Sequence, residues 1–169
     1  MSELVTVVSE PLLLLVRWRN VVLLGMATSP NAAIIDRMSA EVHRLRREGA
    51  VGTALVHLVR SQSSKPAPPD PETREAYLRM MREPDSPVRC SAVIMTDSGF
   101  TAALARSVLT GLMLVTRPTY ATKVFSSEQE ACQWICNELD AIGGTCGSVD
   151  ELAAALQELA SMLEARLTG

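Results

Sequence analysis

Nowhere in the 169 residues does an apolar run reach the roughly 18 to 20 residues of a membrane helix. The nearest, Ala102 to Val115, is interrupted by Arg106, so we expect no membrane span. The apolar run Leu12 to Val16 has no basic region before it and no small-residue cleavage site after it, which argues against export and for a cytoplasmic chain. Positive charge is also short. A formal net charge of -3 gives no field to favour nucleic acid or an anionic surface.

The motifs of common chemistries are missing as well. Neither G-x-x-x-x-G-K-[ST] nor G-x-G-x-x-G occurs, which removes the usual phosphate cradles. The window T-D-S-G-F around Ser98 lacks the first glycine of a nucleophile elbow. The two histidines, His43 on a helix pattern and His57 inside a strand pattern, are expected as a surface residue and a satisfied, half-buried strand residue. Cys132, Cys136 and Cys146 could bring three thiols together, but with no C-x-x-C and no nearby histidine they are expected as small buried hydrophobes, reduced like Cys90. We therefore expect no metal, no cofactor and no enzyme.

What the sequence holds is alternating strand and helix signals. Leu12 to Trp18 and Val21 to Ala27 flank Arg19 and Asn20 at hairpin spacing. Ser29 and Pro30 mark a helix start ahead of Ile34, Ile35, Met38, Val42 and Leu45. Val51 to Val59 is a third strand, and the proline-rich stretch from Ser61 to Pro71 is a loop. Asp70 and Pro71 start a second helix, Val88 to Met95 is a fourth strand, and a third helix follows with Phe100, Leu104, Val108, Leu112 and Val115 inward.

Lys123 to Phe125 is a short fifth strand. Ser127 with Glu130 opens a fourth helix, whose buried face is expected to include Trp134 as a packing residue. After Gly143, Gly144 and Gly147, Ser148 with Glu151 opens a last helix. There Val149, Leu152, Leu156, Leu159 and Leu163 recur in steps of three and four, a seam suited to self-association. The expected division is an α/β domain over 1–142, a glycine-rich linker over 143–147 and an amphipathic helix over 148–169. The fold expected is a mixed, mostly parallel five-stranded sheet with an N-terminal β-hairpin, helices and the extra C-terminal helix.

Phe125, Glu130, Ala131, Trp134 and Ile135, in that order, together with the run from Gly99 to Leu112, resemble the SpoIIAA-like branch of the STAS family over about Leu12 to Ile142. The resemblance implies a bacterial, non-enzymatic regulatory or scaffold module that binds a protein partner. Because related folds bind lipids, it also implies an alternative, a small apolar ligand held between the sheet and the third helix. In phosphorylated members the acceptor serine follows the third strand. Here that place holds Ser61, Ser63 and Ser64, which are preferred as phosphoacceptors over Ser98. The turn Asp97, Ser98, Gly99 and Phe100 is the candidate partner site, and a homodimer through the last helix is the candidate assembly.

Overall fold

A computed structural model describes residues 3–60, 69–97 and 116–168. Six strands form one sheet in chain order: β1 (Val5–Glu10), β2 (Leu13–Trp18), β3 (Val21–Met26), β4 (Thr53–Val59), β5 (Val88–Met95) and β6 (Ala121–Phe125). β1, β2 and β3 pair antiparallel, whereas β3, β4, β5 and β6 pair parallel. The α/β class and the mostly parallel sheet are as expected, but the described residues form six strands where five were expected. The extra one is β1, whose residues are exposed or half-buried and so lack the apolar run that marks β2. Pro11 and Leu12 turn the chain into β2, so that Glu10 pairs with Leu13.

Alternation assigns the two faces. Leu13, Leu15, Val22, Leu24 and Leu55 point to one side, where α1 (Ala32–Arg47) and α2 (Pro71–Met81) lie. Leu14, Val16, Leu23, Val56 and Ile94 point to the other, under α3 (Glu128–Asp140) and α4 (Val149–Leu167). Because β2 to β5 are covered on both faces, they appear in the sequence as unbroken apolar runs.

Three starts differ from expectation, the simplest being β6, which begins at Ala121, two residues ahead of Lys123. α1 is capped not by Ser29 but by Asn31, whose Oδ1 accepts the Ile34 N–H at 3.1 Å, leaving Pro30 ahead of the cap. β4 begins at Thr53, because Val51 and Gly52 form a bend in which Gly52 has a φ of +75°. Elsewhere the signals hold. Asp70 accepts the Thr73 N–H at the start of α2, Ser127 caps α3, and Ser148 with Glu151 forms a reciprocal capping box at α4. The expected third helix falls within 98–115, outside the described residues.

Candidate functional site

At the carboxyl edge of the parallel strands, Arg60 leaves β4 and spans to its neighbours. Its Nη1 donates to Thr96 Oγ1 at 2.6 Å, just past β5, and its Nη2 donates to Glu128 Oε1 at 3.1 Å, in the first turn of α3. A half-buried ion pair and the hydrogen bond beside it thus link the ends of β4 and β5 to α3. Asp97, the first residue of the expected partner turn, is half-buried beside this network. The rest of that turn (Ser98, Gly99, Phe100) and the phosphoacceptor candidates Ser61, Ser63 and Ser64 lie outside the described residues. So does the helix against which an apolar ligand was expected.

The amino edge carries a second arrangement. Arg19, in the β2–β3 turn with a φ of 52°, lies over the Trp18 ring at 4.6 Å. Its Nη2 donates to Glu151 Oε1 at 2.6 Å, and its Nη1 donates to the Cys146 carbonyl at 3.3 Å. One guanidinium therefore pins both the first turn of α4 and the loop ahead of it. The Arg19 hydrogen bond, helped by the Ser148 N–H, holds the exposed Glu151 carboxyl down at about 2. Gly147, with a φ of +84°, is packed so closely that a Cβ there would collide with the Arg19 guanidinium.

Beside this clamp a cleft of about 500 Å³ opens between Arg19, Asn20, Glu48, Gly49 and Ala50 on one side and Gly143, Gly144 and Thr145 on the other. Val51, which lines it, is 54% exposed, and Ile142, immediately before Gly143, is 37% exposed with its Cδ1 against Gly52. Val51 is thus open to solvent on the cleft wall, and Ile142 next to Gly143 is partly exposed. Arg17 Nη1 reaches Glu48 Oε2 at 3.0 Å and supplies a charged rim. No motif marks this edge. The signal available in the sequence was the pair of short apolar-glycine steps, Val51-Gly52 and Ile142-Gly143.

The histidines fall apart in space. His43 Nε2 lies 2.9 Å from Glu83 Oε1, tying α1 to the end of α2. His57 is not half-buried and satisfied as expected. It is only 6% exposed and neither ring nitrogen makes a well-formed hydrogen bond. Its place in a strand covered on both faces removes it from water, which lowers its pKa to about 4, with the neighbouring Ala92 backbone offsetting part of the shift.

All four cysteines are buried free thiols on the α3–α4 side of the sheet. Cys136 and Cys146 Sγ atoms are 2.7 Å apart, while no group of three or more metal-ligating side chains forms among the described residues. Trp134 is half-buried and packs against the core as expected, its ring 5.4 Å from that of Phe125.

The leucine seam is spent inside the chain. Leu152, Leu156, Leu159 and Leu163 are fully buried against β2 and β3, and Val149 packs at their margin. Self-pairing through this strip is corrected accordingly, because the sheet already covers it. Ala155 and Ala160 are buried with the leucines, which makes the apolar face wide enough for a sheet. No helix among the described residues is long and apolar enough to cross a membrane.

No family model matches the sequence, and no curated protein matches it. Among solved structures, the chain is similar to an uncharacterized protein of the DUF3478 family with a SpoIIAA-like fold from Shewanella loihica. The TM-score is 0.45 at 9% sequence identity, over 79% of this chain and 93% of that one.

Proposed function

We propose that the chain is a non-enzymatic regulatory or scaffold module that binds a protein partner, and that the partner docks on the amino edge of the sheet. The observation that carries this reading is the exposed pair Val51 and Ile142 beside the cleft, with Arg19, Arg17 and Glu48 around them. An apolar centre inside a charged rim is the usual anatomy of a protein interface. The edge is also held in place before any partner arrives, because Arg19 fixes the loop to the sheet through the Cys146 carbonyl and Glu151. A surface already ordered loses less freedom on binding.

A photo-crosslinking residue placed at Val51 or Ile142, and separately at Glu72 on α2, tests this in the native cell. Crosslinks to one protein from the first two positions, absent from Glu72 and abolished by Val51→Asp with Ile142→Asp, support the reading. Crosslinks only from Glu72, or none surviving competition with untagged protein, overturn it.

A further inference from the structure

We propose that Cys136 and Cys146 form a reversible disulfide, a modification site that locks the α3–α4 loop. Cys136 lies one turn before the end of α3 and Cys146 lies in the loop beyond Gly144, ten residues on. Their sulfurs are 2.7 Å apart, inside the non-bonded contact distance of two sulfur atoms and nearer to a bonded pair than any other cysteine contact among the described residues. Reaching the disulfide bond length of about 2.05 Å needs the two sulfurs to approach by well under an ångström. Both side chains are buried, at 4% and 0% exposure, so large thiol reagents are kept out and a small oxidant is required.

The oxidant class is a peroxide. A sulfur attacks one peroxide oxygen, the O–O bond breaks, and water leaves, giving a sulfenic acid. The second sulfur then attacks the first, the S–S bond forms, the S–O bond breaks, and a second water carries away the remaining thiol proton. Two thiols and one hydrogen peroxide thus become one disulfide and two waters. Either sulfur can take the first oxidation, since either can be the donor in the contact between them. Burial raises both thiols, so the reaction is slower than at an exposed cysteine. The loop that becomes fixed includes Gly143, Gly144 and Thr145, one wall of the amino-edge cleft. The inference does not depend on what docks there.

The test uses the full reduced chain, treated with hydrogen peroxide, alkylated and digested without reduction by a protease that cuts after acidic residues. Glu138 and Asp140 separate the two cysteines, so a bridge leaves two peptides joined. The expected result is a linked pair retained in Cys132→Ala and lost in Cys136→Ala and Cys146→Ala. The oxidised wild type should also melt higher than the reduced form, and a reductant should reverse the shift. Four alkylated thiols after peroxide, a linkage through Cys90 or Cys132, or a lower melting temperature on oxidation would each overturn it. The wild-type comparison stands even where a variant fails to fold.

Discussion

Glu151 Oε1 sits 2.6 Å from Arg19 Nη2, an ion pair that joins positions 132 residues apart. Arg19 belongs to a turn between two strands and Glu151 to the first turn of α4, so the pair fastens the last helix to the sheet. Because Glu151 titrates at about 2 and not at 4.5, the pair stabilises the fold above pH 4.5, and that stability is lost as the pH falls from 4.5 toward 2. Glu151→Gln should melt below the wild type at pH 7, and the gap should close by pH 2. Thermal melts over that range check it; a gap that persists at pH 2 assigns the effect to something other than the charge.

A second, higher acid window belongs to His57. Its folded pKa of about 4 lies below the ordinary 6.5, so the buried neutral ring adds no penalty above pH 6.5, and stability drains away as the pH falls from 6.5 to 4. A shift of that size corresponds to about 3 kcal/mol across the window. His57→Leu should abolish this dependence while leaving the lower Glu151 window in place. Denaturant titrations at pH 7 and pH 4.5 separate the two.

The last helix gives a prediction on packing. Leu156 is fully buried on the sheet, so Leu156→Ala should cost about 2 to 5 kcal/mol, measured by urea unfolding. A chain ending at Ile142 would uncover Leu14, Val16 and Leu23, and it should aggregate in light scattering rather than give a smaller, well-behaved monomer. An unchanged melt for Leu156→Ala would place the helix elsewhere.

That helix also marks how far the sequence could be read. Its cap and its length followed from Ser148, Glu151 and the apolar period, since these are local. What the stripe faces was not local. Counting leucines alone gives a narrow coiled-coil seam, and only with Ala155 and Ala160 does the face broaden to fit a sheet. β1 escaped for the opposite reason, because a half-exposed edge strand has no apolar run to announce it. The amino-edge site was the least legible, because Arg19, Val51, Ile142 and Glu151 meet only through the sheet. The Cys136–Cys146 pair was nearer to view, as the sequence suggested converging thiols but not which two would touch.

Two glycines in one loop provide a controlled comparison. Gly143 and Gly147 both have left-handed backbones, with φ of +74° and +84°, so an alanine at either carries the same kind of conformational strain. Their surroundings differ. Around Gly143 there is open space, whereas at Gly147 the new methyl would occupy the position of the Arg19 guanidinium and crowd the Glu151 carboxylate. Gly143→Ala should therefore cost about 1 kcal/mol, the strain alone. Gly147→Ala should cost more, because relieving the clash moves Arg19 off Glu151 and off the Cys146 carbonyl. The excess should shrink in an Arg19→Ala background, since the clash with the guanidinium and the ion pair disappear together and only the contact with the Glu151 carboxylate is left. Urea unfolding of the wild type, Gly147→Ala, Arg19→Ala and their double variant closes the cycle, with Gly143→Ala as the reference; equal costs for the two glycine variants would mean that Arg19 is not the clamp at this edge.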